Sequence, residues 1–313
     1  MIVRWPALVD DIFGGDQVVA LASVTPAGGV VVAPVTNFAL RDRRTGTLTV
    51  NSSIGAWKKL QRILRNPHVA LAFHTRTHGF TDRPEYVLVQ GRAAISAPIP
   101  DYPASIAGNW KRFGDPPAVN PLWRWWLRVY YLRVRIDVTV ERVLVWPDLA
   151  CRGPAEVYGT APPSRPPPSQ RPPTGGIGPR IDHVRLARVA SRLPNALLGW
   201  VGADQYPVVT PVAIVGTDNS GILLQADHQM LPAGHRRAGL TAHAFTRHVL
   251  GQHQRLATGW LDIEPAQDRA VYAPHTSFGY RMPPSKFLYR SAVGLATRTG
   301  LRRARRAGTH IPA

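Results

Sequence analysis

Short apolar runs rich in β-branched residues, separated by turn residues, dominate the first half of the chain. Two such runs flank a TPAGG turn at 25–29, which predicts a β-hairpin. Apolar residues at helical spacing over 55–65 predict one early helix, which ends at Asn66 because Pro67 follows. The predicted strands are 18–24, 30–38, 47–51, 68–74, 86–95 and 131–145, and 101–113 is predicted to be helical or irregular. This pattern indicates a mainly β fold of the barrel type.

The same order of features returns in the second half of the chain. Aligning residues 20–35 with 197–212 gives six identities in sixteen positions, including Pro34 with Pro211. Further along, Gly46 aligns with Gly221, Gly91 with Gly259, and the pair Lys58 and Lys59 with Arg236 and Arg237. We therefore predict two tandem β-barrels in one chain, the second shortened by a tighter connection at 247–258.

A proline-rich stretch separates the two repeats. Residues 161–179 read APPSRPPPSQRPPTGGIGP, and proline can continue neither a helix nor an interior strand, so this stretch predicts an extended linker. The predicted units are a first barrel at 1–150, a linker at 151–180, a second barrel at 181–272 and a basic helical tail at 273–313.

The charge of the chain is strongly positive. Its 38 lysines and arginines exceed its 19 aspartates and glutamates, which gives a net charge of +19 over 313 residues. Such an excess favours nucleic acid or an anionic membrane as a partner. Only four of the basic residues are lysines, however, and the chain is also rich in Ala, Gly, Pro and Val. An arginine-rich composition of the whole proteome is the alternative explanation.

The remaining composition indicates an ordinary folded protein. Hydrophobic residues make up 44% of the chain, and no apolar run approaches the roughly 20 residues of a membrane span. Cys151 is the only cysteine, and the first residues lack the apolar region of a signal peptide. We therefore expect a cytoplasmic location.

One segment of the first repeat has the composition of an anion site. Thr49, Asn51, Ser52 and Ser53 end a predicted strand, and a helix with two early lysines follows. The free N–H groups and the dipole at the start of a helix favour anions, so this segment is a candidate phosphate cradle. The alternative is a capped amphipathic helix whose lysines are simply solvated.

The first repeat resembles a known superfamily. The run VVALASVTPAGGVVVAPVTNFALRDRRTGTLTVNSSIGAWKKLQRILRNPHVALAF, followed by YVLVQGRAAI, is similar to the pyridoxamine 5'-phosphate oxidase-like, FMN-binding split β-barrels. The pieces NPHV at 66–69 and VQG at 89–91 carry most of this resemblance, and the second repeat resembles the family more distantly.

The resemblance implies a flavin held between two barrels. Thr49, Asn51, Ser52, Ser53, Lys58 and Lys59 would hold its phosphate, and Val35, Thr36 and Asn37 would run beside its ring. The pyridoxamine phosphate oxidases proper carry an arginine and a lysine on the strand where this chain has PVTNF at 34–38, so their vitamin substrate is not expected here. We expect an FMN-dependent oxidoreductase that acts on a small-molecule substrate through hydride or electron transfer at the flavin, with no catalytic side chain.

The two repeats suggest how such a site is completed. The second barrel would act as a covalently attached partner, giving a pseudo-dimer within one chain, while a homodimer stays an alternative. Arg236 and Arg237 would then face the first barrel or belong to a second, degenerate site. The deazaflavin coenzyme F-420 is the rival cofactor, because its longer acidic tail would use the basic residues of both repeats.

Other functions are carried as alternatives. They are a non-catalytic flavin or haem carrier, and a basic module for nucleic acid or membrane. The histidines at 243, 248 and 253 are five residues apart, whereas metal-binding pairs on a helix are three or four apart, so no metal site is predicted. The stretch WRWWLRVYYLRVR at 123–135 is interpreted as core and interface packing, with base stacking as the alternative.

Overall fold

A computed structural model describes residues 2–113, 120–264 and 269–306. Residues 1, 114–119, 265–268 and 307–313 of the predicted units lie outside the described residues. The chain forms two curled antiparallel sheets, called here the first and the second barrel.

The first barrel follows helix α1 (Ala7–Gly15). Its strands are β1 (Val18–Val24), β2 (Val30–Thr36), β3 (Leu40–Asp42), β4 (Thr47–Ser53), β5 (His68–Phe73), β6 (Tyr86–Ile95), β7 (Arg133–Trp146) and β8 (Glu156–Gly159). A 3-10 turn (Ile54–Ala56) and α2 (Trp57–Arg65) connect β4 to β5, and α3 (Tyr102–Ser105), α4 (Ala107–Phe113) and α5 (Pro121–Tyr131) lie between β6 and β7.

The second barrel follows helix α6 (His183–Ala190). Its strands are β9 (Asn195–Val201), β10 (Pro207–Pro211), β11 (Ala213–Asp218), β12 (Gly221–Gln225), β13 (Gly234–Thr246), β14 (Leu250–Ile263) and β15 (Arg269–Arg281). Helix α7 (Lys286–Arg306) closes the described chain. No helix among the described residues is long and apolar enough to span a membrane.

Both sheets have the same topology. The first is ordered β2-β1-β5-β6-β7-β4-β3, with β8 added beside β7, and the second is ordered β10-β9-β13-β14-β15-β12-β11. Numbered from its own first strand, the second order repeats the first. The predicted fold class, mainly β with two tandem barrels, is therefore confirmed.

The strand registers also repeat. Ala20 pairs with Pro34 in the first barrel, and Leu197 pairs with Pro211 in the second. Both strands of the first hairpin are therefore related to their counterparts by the same shift in residue number. A bulge precedes Gly91 in β6 and Gly259 in β14. A Cβ atom at either glycine would overlap a carbonyl oxygen of the next strand, so both bulges require glycine.

The two barrels pack directly on each other. Small and apolar residues from both, including Ala22 and Ala70 of the first barrel and Leu197 and Val209 of the second, share one buried cluster. Polar contacts join the same faces: the Thr241 hydroxyl donates to the Val32 carbonyl at 2.5 Å. Arg142 of β7 pairs with Asp204 of the β9–β10 turn. Each barrel also keeps its own apolar core.

Several predicted boundaries differ from the structure. Strand β15 continues to Arg281, so the predicted start of the tail at 273 falls inside a strand. Residues 156–159 of the predicted linker form β8, which pairs with β7. The predicted tight connection at 247–258 is a 3-10 turn (Arg247–Val249), and the rest of that range belongs to β14. Helices α1 and α5 and strand β3 were not predicted, because each is short or lacks a clean apolar period.

Candidate functional site

A cleft lies where the two barrels meet, and we call it the central cleft. Its walls come from β2, the end of β4, the start of α2 and the start of β7 in the first barrel. The ends of β13 and β15, the start of β14, and one side of α7 complete it. Six residues predicted from the sequence line this cleft, namely Val35, Thr36, Asn51, Ser52, Ser53 and Lys59.

The end of β4 brings three polar side chains to the cleft. Strand β4 continues into a 3-10 turn, where the Ser53 hydroxyl accepts a hydrogen bond from the Gly55 N–H at 3.2 Å. Asn51 is 4% exposed; its amide lies close to the buried Tyr102 hydroxyl but makes no hydrogen bond of normal geometry in the described chain. A poorly satisfied buried amide is costly, so a ligand at Asn51 would supply a missing hydrogen bond.

Two basic side chains face these polar groups. Lys59 lies in the first turn of α2, and Arg133 begins β7. Burial, together with the charges of Arg133 and Arg62, lowers the pKa of Lys59 to about 8. No aspartate or glutamate is among the described residues that line the cleft. This wall therefore favours an anion, which would offset the repulsion among the cations.

Strand β2 offers backbone groups to the same cleft. It lies at the edge of the first sheet and pairs only with β1. One edge of its backbone therefore has no strand partner in the sheet, and Val35 and Thr36 line the cleft. Unpaired N–H and C=O groups at a sheet edge are available to a planar polar ligand.

The second barrel supplies the opposite wall. His243 and Phe245 line it from β13, with nearly parallel rings whose centroids are 6.0 Å apart. His243 Nε2 lies 2.7 Å from His74 Nε2, and both histidines are buried. His74 Nδ1 donates to the Ala72 carbonyl, so in its neutral form His74 accepts at Nε2 from His243 Nε2–H.

Helix α7 closes the end of the cleft beside the 3-10 turn. Tyr289, Val293 and Thr297 of α7 line the cleft. The helix packs so closely on the turn that a Cβ atom at Gly55 would lie 2.9 Å from the Thr297 carbonyl oxygen. The phosphate-favouring end of the cleft is thus covered by the C-terminal helix.

Three predicted site residues of the first barrel lie elsewhere. The Asn37 amide donates to the Phe13 and Asp16 carbonyls and so fastens α1 to the sheet. The Thr49 hydroxyl donates to Asp137 at 2.6 Å, in a second surface depression that Asn51 also lines. Lys58 is exposed, and its ammonium lies near the Trp57 ring.

The predicted equivalence of Lys58 and Lys59 with Arg236 and Arg237 is wrong. Both arginines lie near the start of β13, at the end of the strand remote from His243. Arg236 is buried and donates to the Ala233 carbonyl, and Arg237 contacts Gln170 and Trp260. The second barrel has no counterpart of α2, because only three residues separate its 3-10 turn (His228–Met230) from β13.

A second cavity is related to the central cleft by the repeat, and we call it the twin cavity. The strand registers place Val212 at the position of Val35, Gln225 at that of Asn51, and His74 at that of His243. All three line this one cavity. Asp227 stands where the first barrel has Ser53, and Lys59 has no counterpart because the second barrel lacks α2. Among the described residues, the twin cavity therefore lacks counterparts of Ser53 and Lys59, and the two arginines that line it, Arg76 and Arg152, are paired with Asp16 and Asp148.

Sequence reasoning missed Arg133, His74 and His243 as cleft and interface residues. Arg133 lies within the aromatic and basic stretch that was interpreted as packing. His74 and His243 occupy the same position of the two repeats, as the pairing of β5 and β13 with their neighbours shows. Extending the repeat alignment through these strands would have brought the two histidines together.

Two half-barrel sheets of one topology, packed around a shared cleft, define a tandem split barrel. No protein-family model matches the chain, and no curated protein matches it.

Solved structures do match the chain. A conserved hypothetical protein from Mycobacterium tuberculosis is 20% identical over 47% of this chain and 86% of its own, with a TM-score of 0.35. A putative pyridoxamine 5'-phosphate oxidase from Listeria innocua is 18% identical over 44% and 97%, with a TM-score of 0.30. An F-420 reductase is 20% identical over 43% and 94%, with a TM-score of 0.31.

Proposed function

We propose that the chain is a flavin-dependent oxidoreductase that binds FMN in the central cleft. The proposal rests on one wall of the cleft, whose described residues include no aspartate or glutamate. This wall combines the poorly satisfied Asn51 amide, the Ser52 and Ser53 hydroxyls, and the Lys59 and Arg133 cations. A phosphate group would satisfy these donors and neutralise these charges.

The side chains would have distinct tasks. Ser53 and Lys59 would hold the phosphate, and the Asn51 amide would hydrogen-bond the polar chain next to it. The free edge of β2 at Val35 and Thr36 would orient the ring, and His243 would face it from the other barrel. The bound flavin would supply hydride or electron transfer to a small-molecule substrate, while the chain binds and orients it.

The same wall favours FMN over the deazaflavin coenzyme. The case for the longer acidic tail depended on Arg236 and Arg237, and neither residue lines the central cleft. In the described chain, the lysine and arginine side chains that line the cleft are Lys59 and Arg133, which suit a single phosphate better than a long acidic tail.

The proposal includes the second barrel as a built-in partner. His243, Phe245 and α7 belong to the second half of the chain: the two side chains line the cleft from β13, and α7 closes its end beside the 3-10 turn. A complete cleft would therefore need one chain and no second subunit.

Purified protein titrated with FMN tests the proposal through quenching of flavin fluorescence. We expect Lys59→Ala to weaken FMN binding at least about tenfold, because one charge-assisted phosphate contact is lost. Lys58→Ala is the matched control: it removes the neighbouring charge outside the cleft and should leave the affinity unchanged.

Three outcomes would overturn the proposal. These are no FMN binding by the wild-type chain, equal losses in the two lysine variants, and tighter binding of F-420 than of FMN. A Soret band in the purified protein would favour the haem alternative instead.

A further inference from the structure

Two helices outside both sheets carry an exposed apolar surface, which we call the α5–α7 face. Helix α5 packs beside α7, and the Trp123 and Phe287 ring centroids lie 5.2 Å apart across the contact. Five large apolar side chains on these helices are more than half exposed: Leu122 at 70%, Trp125 at 52%, Phe287 at 64%, Leu288 at 52% and Leu295 at 61%. A cluster of this kind marks an interaction surface more often than scattered single residues do.

The spacing along α7 puts these side chains on one side of the helix. Leu288 and Leu295 are seven residues apart, and Arg302 follows seven residues later, so the three project in nearly the same direction. The opposite side packs inwards through the buried Val293 and Ala304. Helix α7 therefore has an apolar outer face in its first half and a cationic outer face in its last turns.

The charge of the face has one sign. Neither α5 nor α7 contains an aspartate or a glutamate. The last two turns of α7 carry four exposed arginines, which are Arg302, Arg303, Arg305 and Arg306. Arg298 lies over the Trp125 and Trp126 rings, at 4.8 Å and 4.4 Å from their centroids. Cations beside exposed Trp, Phe and Leu are the pattern of a helix that lies in a membrane interface.

We propose that the α5–α7 face docks the protein onto the surface of an anionic lipid bilayer. A second copy of the chain is a poor occupant, since it would bring two faces of the same charge together. Nucleic acid would account for the arginines but not for the exposed Leu288 and Leu295. A bilayer with acidic headgroups matches both features, because apolar side chains enter the acyl boundary while arginines contact the headgroups.

Co-sedimentation with vesicles tests the proposal in the full-length protein. We expect binding to vesicles with about 30% phosphatidylglycerol to be at least about tenfold stronger than to pure phosphatidylcholine. This binding should weaken when the salt concentration rises, because screening shortens the reach of surface charge.

Two sets of substitutions separate the apolar from the ionic contribution. The first set is Phe287→Ser, Leu288→Ser and Leu295→Ser, with the exposed Val157→Ser, Ile177→Ser and Val215→Ser as its matched control. The second set changes Arg302, Arg303, Arg305 and Arg306 to Gln, and its control changes Arg44, Arg165, Arg171 and Arg192, which are exposed elsewhere, to Gln. The first control set removes exposed apolar side chains outside the α5–α7 face, and the second removes exposed arginine charges outside it.

We expect both α7 sets to reduce vesicle binding at least about tenfold and both control sets to leave it within about twofold. Equal losses in a control set would overturn the proposal, since general charge or hydrophobicity would then explain binding. Equal binding to neutral and anionic vesicles would also overturn the proposal, and so would binding to RNA but to no vesicle. The proposal would fail too if an α7 set abolished a dimer without changing vesicle binding. If the serine set does not fold by circular dichroism, the glutamine set decides, because its four side chains are all exposed.

Discussion

Two neighbouring lysines at the start of α2 have opposite environments. Lys58 is exposed, whereas Lys59 faces the central cleft beside Arg133. Successive residues of a helix point about 100° apart, so only one of the two can face a given wall. Thr49 and Asn51 are two residues apart on one face of β4, so they differ instead in their partners. The Thr49 hydroxyl donates to Asp137, whereas Asn51 makes no hydrogen bond of normal geometry in the described chain.

The lowered pKa of Lys59 predicts that the proposed binding of FMN depends on pH. Its charged form exists below about pH 8, and only that form attracts a phosphate. We expect the affinity for FMN to fall about thirtyfold between pH 7 and pH 9.5, as the fraction of the protein with a charged Lys59 falls. Lys59→Arg keeps its charge over this range and should bind equally well at both ends. A wild-type affinity that does not change with pH would contradict this role of Lys59.

The histidine pair gives a second dependence on pH, this time of stability. Burial lowers the pKa of His74 to about 4, and burial beside His74 also lowers the pKa of His243. Both rings are therefore neutral in the folded protein but gain protons near pH 6.5 when unfolded. The stability they contribute is complete above about pH 6.5 and is lost as the pH falls towards 4.

Urea unfolding at several pH values measures this loss. We expect His74→Gln to flatten the decline in the free energy of unfolding between pH 6.5 and 4.5, by up to about 1.4 kcal/mol per pH unit. His183→Gln, which removes a histidine remote from the pair, should leave the slope unchanged. Identical slopes in the wild type and His74→Gln would show that this pair does not titrate with unfolding.

At the scale of elements, β2 and α7 have the largest effect on the site. Strand β2 is an edge strand, and in the region before Val35 it packs against β13 of the second barrel. Its later residues reach the cleft with an unpaired edge. Helix α7 closes the cleft on one side and presents its outer face to the surroundings. One helix thus links the proposed cofactor site with the proposed membrane surface.

The contact between β2 and β13 depends on glycine. A Cβ atom at Gly239 would overlap the carbonyl oxygen of Val30. We expect Gly239→Ala to lower the free energy of unfolding by about 1–3 kcal/mol, as overpacking does in other cores. Gly216→Ala is the control, because a Cβ there meets only Leu223, at 3.6 Å. Urea unfolding measures both, and equal stability of the two variants would mean that the barrels are not this close at β13.

At the scale of the whole molecule, two equivalent barrels have produced two unequal cavities. The repeat preserves the strand order, the hairpin registers and the bulge glycines. It does not preserve α2, Lys59 or the serine at position 53, whose counterpart is Asp227. A symmetric pair of barrels would form two like sites. In this chain Lys59 and Arg133 line the central cleft, whereas both arginines of the twin cavity are paired with aspartates, and Asp227 adds a carboxylate there.

This asymmetry predicts the stoichiometry of binding. We expect one FMN per chain by isothermal titration, because the carboxylate of Asp227 disfavours a phosphate in the twin cavity. Ser53→Asp places the same charge in the central cleft and should weaken binding at least about tenfold. Ser96→Asp, which adds a carboxylate outside the central cleft, should not. Two equivalents of FMN per wild-type chain would contradict this account.

Much of the architecture could be predicted from the sequence alone. Strands β1 and β6 have the predicted bounds, because their apolar runs are bounded by turn residues and their pattern is local. The repeat of the first hairpin and the equivalence of Gly91 and Gly259 were also visible, since both depend on short segments kept in the same order. Asn51, Ser52, Ser53 and Lys59 were predicted as site residues, and they line one cleft.

Only the tertiary structure decided which of the basic residues share that cleft. Arg236 and Arg237 matched the two lysines by sequence spacing, yet they lie on a strand because the second barrel lacks α2. Arg133 joins Lys59 from 74 positions further along the chain, and His243 meets His74 across the contact between the barrels. Local patterns determine strands and turns, because those depend on neighbouring residues. Which residues line a cleft depends on how two sheets curl and pack, because this packing brings together residues that no local pattern connects.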